Sequence, residues 1–401
     1  MTEVTRRRVR RHRGHAVSGI VRTIRPMPRT STLPLLDDRS LNRALLDRQM
    51  LLARSDRSVP DAVRFLYGLQ AQAPWSPYHA LWTRLDGFDP HELGAMLSDR
   101  RAVRLVLMRG TVHLVAADDA LALRHLHAEF LERGLRTSGW GKRTVGLDIG
   151  AVVDHGRALV EREPMPFGAL GTALAERWTD RDPATLAQVM RASAPLVQVP
   201  PRAVWGRSGQ VTVTTAEHWL GRPLDSSATL DEMVLRYLAA YGPASVMDVQ
   251  AWSGLTRLRE VTDRLGDRVV RFRNASGREL LDLPDAPRPG PEVPAPVRFL
   301  PDFDNVVLSH ADRTRLVDDD VRKRIMTSPN GVLPGTVLVD GRVTAQWSVD
   351  RSGDRATLRV TPVRALTPTE VGEVEAEGAA LLAFTAAEHE AHEVAVLEPG
   401  G

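Results

Sequence analysis

Two glutamines one residue apart, Gln70 and Gln72 in the stretch Leu69-Gln70-Ala71-Gln72-Ala73-Pro74-Trp75, are the side chains whose type and spacing first suggest chemistry. A pair of carboxamides offered to one site supplies donors and acceptors without carrying charge. Residues two apart do not share a face of a helix, but on an extended chain they do. The preceding run from Asp61 has helical periodicity through Ala62, Phe65, Leu66 and Leu69. Pro74 disfavours the helical conformation at Ala73, which predicts a helix ending near the glutamines. The competing reading is a helix C-terminus whose glutamines satisfy loose backbone groups.

Arg109, Thr111 and His113 alternate within a β-rich stretch, residues 103–115, and would point to one side of a strand. There they would line a site or grip a phosphate. His113, set among Val112, Leu114 and Val115, reads equally as a satisfied core histidine. Trp75 suits a stacking contact or a place in the core. No GxSxG, HExxH, GxGxxG or Walker-type sequence is present. His310-Ala311-Asp312 lacks a third ligand, so neither a metal nor another cofactor is expected.

The elements that must position these residues follow a repeating order. Residues 41–52 are helical in pattern, Ser58 with Asp61 starts a second helix, and Asp89-Pro90 starts a third. The β-rich stretch after them is broken once, at Arg109-Gly110, as a hairpin or wing would be. Helix, helix, helix, hairpin is the order of a winged-helix unit. Residues 151–224 repeat it, with Asp182-Pro183 opening a helix and residues 210–214 alternating as a strand. Residues 225–283 repeat it again: a capping box at Thr229, a stop at Gly242-Pro243, a short helix from Ser245 to Gly254, then a third helix over about 256–265 and a basic strand over 268–273. Arg257 and Arg259 on that third helix are candidate phosphate contacts, with solvated arginine as the alternative. Six prolines among residues 284–296 mark a stiff linker or extended crossing. Beyond it Asp340-Gly341 is a two-residue hairpin signal, and residues 298–366 are expected to form a small β-barrel. Residues 367–401 are expected to be an acidic helix and tail. The fold class is therefore α+β: three tandem winged-helix domains (36–150, 151–224, 225–283), the 284–297 linker, and the barrel.

Composition bounds the alternatives. The chain has 401 residues, 43% hydrophobic and 26% charged, as in a soluble globular protein of several domains. There is no cysteine, which excludes disulfides and thiolate chemistry. No apolar run approaches membrane-spanning length, and the basic N-terminus lacks the apolar core of a secretory signal, so a cytoplasmic location is expected. Residues 1–29 carry nine Arg and one acid, Glu3, and read as an arm for phosphate or as an over-long gene start. Lys142 and Lys323 are the only lysines, which leaves little for Schiff-base chemistry.

Three stretches together carry a family resemblance: Gly68-Leu69-Gln70-Ala71-Gln72, Met108-Arg109-Gly110-Thr111-Val112-His113-Leu114-Val115, and Leu300-Pro301-Asp302-Phe303-Asp304-Asn305 with Leu308-Ser309-His310-Ala311-Asp312-Arg313. The order and spacing resemble those of the bacterial AlkZ-like (YcaQ-type) winged-helix DNA glycosylases, over residues 41–362. The resemblance implies a concave DNA-binding surface and excision of bulky or crosslinking N7-alkylpurines. It places the family's catalytic Gln-x-Gln on Gln70 and Gln72, in the branch with glutamine rather than an acid at the later position. Arg313 is then a phosphate contact, while Asp304 and Asn305 are expected to fix a turn in the barrel. The implied partner is double-stranded DNA carrying the lesion, bound by a monomer without a membrane. A non-enzymatic winged-helix DNA-binding protein is the alternative.

Overall fold

The computed structural model describes residues 33–325 and 333–399, so the arginines of the N-terminal arm lie outside the described residues. The start signals read from the sequence are in place. Ser58, Asp89, Asp182 and Thr367 each accept a backbone N–H in the first turn of the helices Val59–Leu66, Pro90–Ser98, Pro183–Ser193 and Pro368–Thr385. Ser245 and Asp248 complete a reciprocal capping box on Val246–Ser253. Thr229 makes only half of one, accepting from the Glu232 N–H.

Among the described residues, thirteen strands form three sheets. The first is six-stranded and built from β1 (Leu69–Gln70), β2 (Ala102–Val106), β3 (Val112–Ala116), β4 (Met165–Pro166), β5 (Leu196–Gln198) and β6 (Thr212–Thr215), in the order β1-β3-β2-β5-β6-β4. The strands expected of the first two winged-helix units thus share one sheet, joined where Arg104 and Leu105 of β2 pair with Gln198 and Val197 of β5. A two-stranded ribbon, β7 (Val270–Arg273) with β8 (Glu279–Asp282), lies in the stretch expected to be a third unit. That unit's third helix is shorter than expected, Arg259–Arg264, and leaves Arg257 in the preceding turn with φ +62°.

Among the described residues the C-terminal module is an open sheet rather than the expected barrel. β9 (Arg298–Leu300), β10 (Gly335–Val339), β11 (Arg342–Ser352), β12 (Arg355–Pro362) and β13 (Ala391–Val396) make an open sheet in the order β13-β12-β11-β10-β9. Closure would need β9 to meet β13. Instead the helix Pro368–Thr385 provides the crossover that lets β13 add parallel to β12. It buries Val374, Leu381 and Leu382 against Phe299, Val337, Leu358 and Val360 of the sheet. The acidic tail therefore contributes a strand that its composition did not suggest.

The proline-rich segment is an anchored crossing rather than a free spacer. Arg39, Arg43 and Arg48, on the helix Asp38–Arg48, donate to the carbonyls of Pro291, Val293 and Pro287. The largest core among the described residues joins the helix Asp38–Arg48, strands β2, β3 and β5 and the helix Leu230–Tyr241 to the loop after β9. It gathers Tyr67, Val103, Leu105, Tyr237, Tyr241, Trp252, Leu300 and Val306.

Candidate active site

The helix Val59–Leu66 buries Val59, Ala62, Val63 and Leu66, an i, i+3, i+4, i+7 stripe. It ends well before Pro74. Tyr67 takes a left-handed conformation at φ +54° and Gly68 follows at φ +117°, so the chain turns out of the helix and enters β1 directly. A Cβ at Gly68 would come within 2.8 Å of Met108 Cε and 3.2 Å of Val115 Cγ1, so the end of the Met108 side chain would have to shift, and the positive φ is what favours glycine. The glutamines thus lie on extended chain. Gln70 pairs with His113 of β3, and the Ala71 N–H continues the pairing by donating to the Val112 carbonyl. Their spacing gives both side chains one face.

Gln70 is buried, at 6% exposure, while Gln72 is exposed. The Gln70 Oε1 accepts from Arg109 Nη2 at 2.6 Å. The Gln72 Oε1 accepts the Val112 backbone N–H at 3.0 Å. Neither partner is capable of accepting, so the carbonyl end of each amide is fixed toward it. The NH2 ends make no hydrogen bond among the described residues and are the unspent polar groups of the pair.

Arg109 does not stand on a strand with His113, as its alternation suggested. It sits in the tight turn Met108–Gly110 with φ +56°, before β3 begins. Thr111 closes that turn by donating its hydroxyl to the Met108 carbonyl at 3.1 Å. From there the Arg109 guanidinium reaches Gln70, the Asn305 Oδ1 at 2.9 Å and the Trp252 carbonyl at 2.9 Å. The His113 Nε2 lies 3.5 Å away. Burial lowers the Arg109 pKa to about 10, with Arg313 adding repulsion, so the group stays protonated at neutral pH. His113 is fully buried, and its pKa is held well below the usual imidazole value by burial first and by Arg109 second. It is neutral, with Nδ1 3.0 Å from the Thr111 carbonyl.

Two contributors escaped the sequence reading. Asn305 is not a barrel turn residue: its Nδ2 donates to the Gly68 carbonyl at 2.7 Å while its Oδ1 receives Arg109. Beside it Asp304 forms a two-pronged buried ion pair with Arg84, both contacts at 2.8 Å. Arg104, in the apolar run of β2, is buried and donates to the carbonyl of Ala71, between the two glutamines, at 2.7 Å. A lone arginine at an inward-facing strand position was the signal available for it. Arg104 and Arg109 both lack an acidic partner, and no Asp or Glu hydrogen-bonds to Gln70, Gln72, Arg109 or His113 among the described residues.

The remaining candidates lie around this floor. Trp75 is 38% exposed and meets Trp205 edge-on at 5.8 Å. Arg313 donates its Nε to the His310 carbonyl at 3.3 Å and borders a cleft with Arg278, Arg322 and Met247. Arg259 is engaged by Glu279 at 3.0 Å, whereas the exposed Arg257 makes no ion pair among the described residues.

The chain is similar in sequence and in fold to known proteins. A curated relative, the interstrand DNA cross-link repair glycosylase of Streptomyces sahachiroi, is 24% identical over 331 residues, covering 76% of this chain and 85% of the relative. The solved structure of Streptomyces sahachiroi DNA glycosylase AlkZ superposes with a TM-score of 0.73 at 21% identity, over 90% of this chain and all of that one. The model of the DNA glycosylase AlkZ-like family matches residues 63–384, from the helix before the glutamines to the helix that covers the last sheet, and the chain belongs to that family of DNA glycosylases.

Proposed function

We propose that this glycosylase excises N7-alkylated purines, bulky and crosslinking ones included, from double-stranded DNA by hydrolysing the N-glycosidic bond, with Gln70 and Gln72 as its catalytic pair. The observation that supports this reading most is a pair of uncharged amides to which no carboxylate hydrogen-bonds among the described residues. Alkylation at N7 makes the purine cationic and weakens the bond to C1′ before any enzyme acts. Such a base needs positioning, water and shielding from bulk solvent more than it needs a carboxylate. Unmodified guanine leaves too slowly under this mild help, so substrate lability supplies part of the selectivity. The name of the Streptomyces relative, which refers to interstrand cross-link repair, agrees with this substrate class.

In this reading the helices and strands before residue 284 act as three winged-helix units that cradle the duplex as a monomer in the cytoplasm. Trp75 stacks on exposed base or sugar. Arg257 and Arg313 hold phosphates. Arg259, already paired with Glu279, contributes less.

The test is direct. Duplex carrying N7-methylguanine or an N7-linked crosslink is incubated with the protein and examined for abasic product. The joint substitution Gln70→Ala with Gln72→Ala is expected to leave duplex binding nearly intact and to slow release at least about 100-fold. Absence of abasic product from every N7-alkylated duplex would refute the substrate assignment.

A further inference from the structure

The hydrogen bonds at Gln70 determine which end of its amide is available. Arginine carries five donors and no acceptor, so the atom 2.6 Å from Arg109 Nη2 is the carbonyl oxygen. Asn305 is fixed by the same logic from both sides: the Gly68 carbonyl takes its NH2 and Arg109 takes its oxygen. Arg109 is itself held by the Trp252 carbonyl and by the turn Met108–Gly110. The orientation of Gln70 is therefore dictated by a chain of groups that have no alternative pairing. Its free end is a donor, and a cation stands behind its carbonyl. Such a chain polarises the amide and strengthens that donor.

Resting on Gln70 as part of the reaction site, we propose that Arg109 is a positioning residue that turns the Gln70 NH2 toward the nucleotide, where it donates a hydrogen bond to N3 of the departing purine. N3 is the acceptor of the base nearest the glycosidic nitrogen, N9. When the C1′–N9 bond breaks, both electrons pass to N9 and the N7-alkylpurine leaves uncharged. The electron density gained by the ring is shared by N3, and the Gln70 donor stabilises it there. Water oxygen bonds to C1′, and its proton passes to bulk solvent. The leaving base, rather than the attacking water, is what Gln70 assists.

The experiment compares Gln70→Glu, Arg109→Met and Arg109→Lys in single-turnover release of N7-methylguanine, alongside duplex affinity. The wild-type rate in the same assay shows whether glycosylase action on this lesion holds at all, separately from how Gln70 works. Gln70→Glu keeps an oxygen for Arg109 but puts an acceptor where the donor was. It is expected to slow release about 100-fold or more with affinity unchanged. Arg109→Met is expected to slow release about tenfold to 100-fold with affinity within about threefold, Arg109→Lys recovering part of it. A duplex carrying 3-deaza-N7-methylguanine, corrected for its uncatalysed rate, is expected to lower the wild-type rate and leave Gln70→Glu unaffected. A fold-stabilising role alone would not produce that dependence on one atom of the base. A wild-type rate in Gln70→Glu, a loss of affinity rather than rate in Arg109→Met, or indifference of the wild type to the 3-deaza substitution would each overturn the proposal.

Discussion

Replacing Asp304 with alanine tests whether the loop after β9 supports the site from within. The Asp304 carboxylate meets Arg84 through two contacts of 2.8 Å, and the two side chains are 2% and 1% exposed. Without the carboxylate, Arg84 remains buried with, among the described residues, only the Ala80 carbonyl at 3.0 Å and the Gln49 Oε1 at 3.2 Å as acceptors. An uncompensated buried charge of this kind costs about 3–5 kcal/mol. Loss of the Asp304 hydrogen bond to the Val306 N–H adds about 1 kcal/mol. With a urea dependence of about 3 kcal/mol per molar, the unfolding midpoint should fall by more than about 1 M. Arg84→Met combined with Asp304→Leu removes both charges, and should recover most of the loss, leaving about the cap contribution. Urea titration followed by tryptophan fluorescence measures both variants. A shift below about 0.3 M for Asp304→Ala, or a double variant no more stable than the single one, would refute the reasoning.

Three other outcomes follow from the same structure. His127 is buried, and burial lowers its pKa to about 4; since the unfolded chain takes up that proton near pH 6.5, its stabilisation is intact above that pH and is lost as pH falls toward 4, by up to about 1.4 kcal/mol per pH unit, as denaturation between pH 7 and 4.5 should record, with the half-buried His79, whose pKa burial also lowers to about 4, adding less. Arg257→Ala should weaken duplex binding and reduce the slope of log affinity against log salt by about one, whereas Arg259→Ala, whose guanidinium is engaged by Glu279, should change the slope by less than half of that in a fluorescence-anisotropy series. Gly68→Ala should destabilise the protein by about 1–3 kcal/mol through its positive φ alone, with Met108 forced to shift, and differential scanning calorimetry checks it; an unchanged melting temperature would contradict the Gly68 geometry.

Local signals carried far into the fold, because capping and turn chemistry act over three or four residues. Ser58, Asp89, Asp182, Ser245 and Thr367 each start a helix where a short polar side chain meets a free backbone N–H. Asp340-Gly341 joins β10 to β11 with both residues at positive φ, as the dipeptide implies. The Gln-x-Gln pair was legible because one intervening residue is meaningful only on extended chain. Its supports were not, since they are long-range: Asn305 lies 237 positions from Gly68, the residue whose carbonyl it binds. Arg109 misled for a different reason. Alternation with His113 is the mark of a strand, and nothing local distinguishes that pattern from a left-handed turn followed by one. The open last sheet escaped because a parallel edge strand is specified by its crossover, the acidic helix Pro368–Thr385, whose composition speaks only of solvent.

The pairing of β2 with β5 has a consequence for how this protein can be taken apart. A ladder shared between two neighbouring units leaves each with a raw hydrogen-bonding edge when it is cut away from the other. Expressed alone, the portion that carries the glutamines would present β2 to any passing chain, and self-association through that strand is the natural fate of such a fragment. Excision machinery built this way resists modular exchange: a recombined descendant must inherit both halves of the ladder or neither.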